Sequence, residues 1–335
     1  MVDSTKSGSS KSGSTTGGKL KDPINIIFLG DMMLGRLFDN PPGKGPNSNN
    51  IWSDDIRNLF SNSLVCANLE TSVTSRTDKW PKKAFNFKIS PLTFPSLLPP
   101  TAGYVFNLAN NHSMDYKESG LIDTMSTLDK NGFRYYGAGL NASKAETPLI
   151  FTYKQNKFGF IGISDHPKDF QARKSSPGIH YLDIDNGDEK YGWKETLESV
   201  SSTAKQVECL IVYLHYGPNW VKSISSKIIS FCHALVDNGA DFVCVTSPHH
   251  ILPIERYKTG TIFYSLGDII DDYAVDKIYR NDLGFIACVR LSGPDSELDV
   301  YPTRIKDMTV RLLSRTDAED KDDYSHVLGI IKQKM

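Results

Sequence analysis

Long apolar runs, paired cysteines and an excess of either charge are all missing from this sequence. Apolar stretches such as Ile26–Leu29 and Cys209–Leu214 fall far short of the roughly 18 residues that crossing a bilayer requires. The five cysteines, an odd number, stand singly in apolar surroundings (Cys66, Cys209, Cys232, Cys244 and Cys288) with no C-x-x-C pair. That pattern argues against a disulfide framework or zinc ribbon and fits buried thiols in a reducing compartment. Lys and Arg number 38 against 39 Asp and Glu, so no net field draws the chain to nucleic acid or an anionic membrane. The N-terminus has no apolar segment of the secretory kind, and the expected location is cytoplasmic. Neither G-x-G-x-x-G, G-K-[ST] nor G-x-S-x-G occurs, which removes support for a dinucleotide fold, a P-loop or a serine hydrolase; Gly43–Gly45 is too irregular to replace them.

What remains is an ordinary globular composition, 39% hydrophobic and 23% charged over 335 residues. Residues 1–22 are Ser, Gly, Thr and Lys with almost nothing to bury, and are expected to form a disordered tail. Residues 23–315 read as one domain and residues 316–335 as an extension with a short helix near Val327–Ile331. Within the domain, short runs apolar on both faces recur at Ile24–Leu29, Leu64–Ala67, Tyr104–Ala109, Cys209–Leu214, Phe242–Val245 and Thr261–Leu266, as expected of central strands covered by helices. Leu121, Ile122, Met125 and Leu128 form one helical stripe ended by Gly132; Ile224, Ile228, Cys232, Leu235 and Val236 form another ended by Gly239. Phe158–Ile163 follows a tight turn, and Gly284–Leu291 with Leu298–Ile305 reads as a hairpin. Alternation plus hairpins predicts an α/β fold with two mixed sheets packed face to face between helical layers.

Polar groups collect where these runs end. In order, the runs lead to Asp31, to Asn68 and Glu70, to Asn110, Asn111, His112 and Asp115, to His215, to His249 and His250, and to Asp268. Ligands bind beyond the carboxyl ends of strands in open α/β sheets, so these groups would share one crevice suited to a divalent metal of the Zn, Mn, Fe or Mg kind. Each also has a plainer reading. Asp after Gly often caps a helix, and Asn often forms turns; His249 or His250 could be merely exposed. His233 reads as structural, and His166 and His180 carry little weight for want of acidic neighbours at ligand spacing. For Asp271 and Asp272, capping a following helix is the plainer expectation.

Taken together, Gly30-Asp31-Met32-Met33-Leu34-Gly35-Arg36, Asn68-Leu69-Glu70, Ala109-Asn110-Asn111-His112-Ser113-Met114-Asp115, His215-Tyr216-Gly217, Pro248-His249 and Tyr264-Ser265-Leu266-Gly267-Asp268 resemble the CapA family of bacterial capsule-synthesis, or poly-γ-glutamate biosynthesis, proteins. The resemblance runs from about residue 24 to 273. It implies a metallophosphoesterase-like, four-layer α-β-β-α sandwich of two mixed sheets. It further implies one or two divalent metals (Mn, Fe, Zn or Mg), no organic cofactor, and Asp31, Glu70, Asn111, His215 and His249 as metal ligands. His112, with Asp115 and Glu70, would be catalytic, His112 as general acid. Arg36, Asn68, Lys88 and Ser265 would meet the substrate.

Three positions matter: Met33 stands, as in the family generally, where the metallophosphatase pattern carries His; Thr246 stands where the family usually carries His; and Asp268 stands where the family carries Asn. The implied activity is hydrolysis or group transfer on an amide or phosphoester of a small acidic, glutamyl-like substrate. The alternatives are a non-catalytic accessory protein holding an acidic polymer or peptide and a metal-dependent phosphodiesterase. Asn111-His112-Ser113 is also a glycosylation sequon inside the implied site, awkward for a eukaryotic secretory route and in keeping with a cytosolic setting.

Overall fold

The computed structural model describes residues 5–6, 23–40, 46–292 and 295–334. Apart from Thr5–Lys6, a two-residue strand, the expected tail lies outside the described residues, as does the segment 41–45. In chain order the main strands are β1 (Ile24–Met32), β2 (Leu64–Leu69), β3 (Gly103–Asn107), β4 (Arg134–Tyr136), β5 (Leu149–Tyr153), β6 (Asn156–Ser164) and β7 (Cys209–His215). They continue as β8 (Phe242–Thr246), β9 (Ile251–Tyr257), β10 (Gly260–Leu266), β11 (Asp268–Ile270), β12 (Leu283–Ser292), β13 (Asp295–Lys306) and β14 (Thr309–Leu312). Each short apolar run of the sequence is thus a strand, and the expected hairpins are β5–β6 and β12–β13, both antiparallel.

Two mixed sheets hold most of these strands. The first runs β13–β12–β1–β2–β3–β4, with β11 also on β1 and β14 on β13. Its members β1 to β4 are mutually parallel. The second runs β9–β10–β8–β7–β6–β5, with β6, β7, β8 and β10 parallel. The period of two in a strand sends alternate side chains to opposite faces. Ile26 and Phe28 therefore join Phe160, Tyr213 and Phe263 of the second sheet in one apolar cluster between the sheets, where Phe28 lies 5.1 Å from Phe242. Ile27 and Leu29 point the other way, into a cluster that the helix Lys117–Lys130 closes with Leu121, Met125 and Leu128. Ile122, expected on that stripe, is 41% exposed: it sits beside Leu121 in sequence, about 100° round the helix, beyond the width of the buried face. The outer face of the second sheet packs Val212, Leu214 and Val243 against the helices Lys194–Ala204 and Ser226–Asp237. A C-terminal helix, Lys321–Ile331, buries Tyr324, Val327 and Ile331 in the cluster between the sheets. Longer than the short helix expected near Val327–Ile331, it brings Asp322 and Asp323 into its first turn, the end where the helix dipole favours negative charge.

Chain crossing between the sheets occurs at the site. After β10 in the second sheet, Gly267 turns with φ +76° and the chain re-enters the first sheet as β11, pairing Asp268 with Asp31. Gly30 lies so close to this turn that a Cβ there would overlap the Gly267 carbonyl. Among the described residues no helix is long and apolar enough to cross a membrane.

Candidate active site

Register places one polar rung at the carboxyl end of each sheet. In the first sheet Asp31 sits opposite Asn68, and Asn68 opposite Asn107. In the second, Ser164 sits opposite His215, and His215 opposite Thr246. The two rungs meet face to face, because Asn68 Nδ2 lies 3.3 Å from His215 Nδ1.

Asn68 anchors the carboxylates. Its carbonyl oxygen accepts from the Asn107 and Asn110 amides (2.9 and 3.1 Å), which turns its own NH2 toward Asp31 Oδ1 (2.7 Å) and Glu70 Oε2 (3.2 Å). Asp31 Oδ2 accepts from the Ser247 amide at 3.1 Å. The left-handed backbone of Ser247 and His249 (φ 99° and 57°) is costly for residues with a Cβ, the kind of strain that clusters at functional sites.

The other oxygen of Glu70 is the centre of the cluster. Glu70 Oε1 is buried and no donor reaches it among the described residues. Three imidazole Nε2 atoms surround it: His215 at 3.8 Å, His249 at 3.8 Å and His112 at 3.9 Å. Burial, with Asp31 and Asp115 nearby, holds the Glu70 carboxyl well above the usual carboxylate range. Burial likewise pushes His215 well down and His249 down to about 4. Ligand atoms of Asp31, Glu70 and His215 lie within 4.8 Å of one another, as do those of Asp31, His249 and Asp268. Asp31 is common to both groups. A buried carboxylate oxygen without a donor, faced by neutral imidazoles, is a donor set that fits a divalent cation.

His112 is held from behind. Its Nδ1 donates to Asp115 Oδ2 at 2.6 Å. Asp115, fully buried, also accepts from the Phe87 amide (2.6 Å) and from Lys83, whose Nζ lies 3.0 Å from His112 Nδ1 and donates to the Asn111 carbonyl. Desolvation lowers the pKa of both His112 and Lys83. His215 Nδ1 lies 2.9 Å from the Thr246 hydroxyl, and its Nε2 lies 3.1 Å from Asn111 Oδ1.

Of the residues singled out from the sequence, Asp31, Asn68, Glu70, Asn111, His112, Asp115, His215 and His249 come together. His250 is buried too, so neither of the adjacent histidines is exposed. Arg36 stands at the mouth, ion-paired to Asp272 at 3.2 Å and facing the Phe87 and Tyr273 rings. Lys88 and Ser265 are placed otherwise: Lys88 Nζ donates to the Arg76 carbonyl (2.7 Å), and Ser265 Oγ accepts from the Gly267 amide (3.1 Å). Asp268 joins the site through His249 Nδ1 at 2.9 Å. No helix follows Asp271 and Asp272; Asp272 instead accepts from the Leu37 amide at 3.0 Å. His233 is structural as expected, bonded to Glu255 at 3.0 Å.

Two participants went unread. Lys83 comes from an irregular loop about thirty residues before its partner, where no periodicity marks it. His166 does have an acidic partner, the adjacent Asp165, and its ring centroid lies 5.1 Å from that of His215; its place at the end of β6 was the available signal.

An α/β protein with carboxylates and imidazoles converging on one buried point is defined, as a class, by a potential metal or acid–base centre at its strand ends. The chain belongs to the bacterial capsule synthesis protein PGA_cap family, whose pattern matches residues 25–273. A probable polyglutamine synthesis accessory protein of Mycobacterium tuberculosis is 29% identical over 90% of this chain and 80% of its own length. The PGA biosynthesis protein CapA of Bacillus subtilis is 27% identical over 75% of this chain and 64% of that protein. The capsule biosynthesis protein CapA of Bacillus anthracis is 24% identical over 90% and 72%.

Proposed function

We propose that this protein is a hydrolase or transferase acting on an amide or phosphoester of a small acidic, glutamyl-like substrate, assisted by a divalent metal. The observation that carries the reading is the donor-free Glu70 Oε1 ringed by three imidazole nitrogens at 3.8–3.9 Å. The arrangement of two sheets with helices on their outer faces supports a four-layer, metallophosphoesterase-like sandwich as its architecture. Asp31, Glu70, Asn111, His215 and His249, with Asp268, would hold the metal. When bound, such an ion polarises a carbonyl or phosphoryl oxygen and lowers the pKa of a coordinated water.

The chain's own residues then do the following. Asn68 orients Asp31 and Glu70. Arg36, half-exposed beside Asp272, meets an anionic group at the mouth. His112, kept neutral by burial, has its Nδ1 proton committed to Asp115, so its Nε2 accepts a proton from the attacking nucleophile. This revises the general-acid role that the resemblance implies.

Metal analysis of protein purified without chelator tests the reading, beside His215→Ala and an assay on γ-glutamyl amides and phosphodiesters with Mn²⁺. The expected result is one or two equivalents of Mn, Fe or Zn, lost in the variant, and turnover that His112→Ala lowers by roughly a hundredfold or more. Absence of metal after reconstitution, with no turnover of either substrate class, would overturn it. A non-catalytic accessory role has one observation in its favour: Met33 stands where the metallophosphatase pattern carries an imidazole, and Thr246 where the resembled family usually does. Binding of a glutamyl polymer without turnover would select it.

A further inference from the structure

The mechanism so far moves one proton, from the nucleophile to His112, and leaves the departing atom without a donor. A second carboxylate-held imidazole borders the cluster, its ring centroid 5.1 Å from that of His215. His166 lies two residues beyond Ser164, the last residue of β6, which stands opposite His215 in the second sheet. Its Nδ1 is bonded to Asp165. Asp165 is itself fixed from the neighbouring loop, both its oxygens accepting from the Gly217 amide at 3.2 Å, while its own amide donates to the His215 carbonyl (3.1 Å). The Ser164 hydroxyl donates to the His166 carbonyl at 2.6 Å. The turn is therefore tied down on three sides and the ring has a set direction. Its Nε2 makes no hydrogen bond to any described residue, and its side chain is 32% exposed against 7% for His112. The cluster is thus flanked by two Asp–His pairs, His112–Asp115 from the first sheet and His166–Asp165 from the second, one enclosed and one open to solvent.

We infer that His166, oriented by Asp165, delivers the proton to the leaving atom. The inference rests on the hydrolytic reading above. For a γ-glutamyl amide, the oxygen of water bonds to the carbonyl carbon and its proton passes to His112 Nε2. The C–N bond breaks, and the Nε2 proton of the His166 imidazolium passes to the departing nitrogen. His166 regains its proton from solvent, to which it is open, and His112 returns the one it took. Asp165 stabilises the imidazolium, as an orienting carboxylate does for a catalytic histidine.

A leaving group that departs as a stable anion needs little protonation, so the test compares the γ-p-nitrophenyl ester of N-acetylglutamate with its γ-methylamide in the wild type, His166→Gln and His112→Ala. In His166→Gln, kcat on the methylamide should fall by about a hundredfold while KM, bound metal and kcat on the p-nitrophenyl ester stay close to wild type. His112→Ala should lose both substrates. An equal fall on the ester and the amide in His166→Gln, or none, would overturn the role of His166 while leaving the hydrolytic reading intact. A wild type inert toward the ester, the amide and phosphodiesters would overturn the two together.

Discussion

Lys83 illustrates how much a single buried charge does here. Its ammonium is 19% exposed and faces a fully buried Asp115, so each supplies the charge that makes the other's desolvation tolerable. Removing one member of a buried pair leaves the other uncompensated, at a cost of about 3–5 kcal/mol. Lys83→Met should therefore lower unfolding free energy by an amount of that order, read from denaturant melts, and Lys83→Arg by less. Asn68 is a second such residue. Asn68→Asp would replace a donor to Asp31 and Glu70 with a third carboxylate, and the expected result is loss of about 2 kcal/mol or more in the same measurement, unless Mn²⁺ is present to balance the charge. Neither residue's importance follows from its neighbours in sequence. Lys83 sits in Pro81-Lys82-Lys83-Ala84, which reads as a solvated loop, and only folding against Asp115 makes it structural. Asn68 was legible as a strand-end polar group; its role as an anchor depends on Asn107 at the end of β3 and Asn110 in the loop after it.

At the scale of elements, the passage of the chain from β10 to β11 constrains the site most. Gly30 and Gly267 are in backbone contact, and the Asp31 amide donates to the Gly267 carbonyl at 3.2 Å. Gly30→Ala would force β1 and β11 apart just where Asp31 and Asp268 pair. Overpacking of this kind typically costs about 1–3 kcal/mol, and because backbone rather than a mobile side chain is struck, the upper end is expected. Thermal melting should show the loss, and Gly30→Ala should also lose bound metal in parallel with His215→Ala. The strands themselves were readable as short apolar runs, since burial on both faces leaves an unmistakable local signature. β11 was not: Asp268–Ile270 is three residues long, and it is a strand only because β1 offers it a partner.

The whole molecule carries several histidines that burial keeps neutral. His180, 8% exposed, is pushed by burial from the ordinary 6.5 down to about 4. The unfolded chain therefore binds a proton at this residue more readily than the folded one between those values, and stability rises with pH there. The contribution is complete above about 6.5 and is lost as pH falls toward 4, at about 1.4 kcal/mol per unit. His180→Gln should flatten the fall in denaturant midpoint between pH 6.5 and 4 and leave the midpoint near pH 8 little changed. On the proposed reading, metal linkage is a second effect at this scale. Mn²⁺ bound only by the folded state at a hundred times its dissociation constant would add about 2.7 kcal/mol. The melting temperature should rise with Mn²⁺, fall with chelator, and respond to neither in Asp31→Asn.

By itself the sequence determined the α/β alternation, the central strands and the collection of acids, amides and imidazoles at their carboxyl ends. These depend on local periodicity and on how an apolar run gives way to polar residues, both of which can be read within a dozen positions. Tertiary structure alone decided which of those groups meet. Glu70 faces His215, Asp115 takes Lys83, and His166 rather than Lys88 or Ser265 borders the cluster. Each of those outcomes depends on strand register, on the approach of one sheet to the other and on the course of loops, and none of the three is set by interactions between near neighbours in the chain.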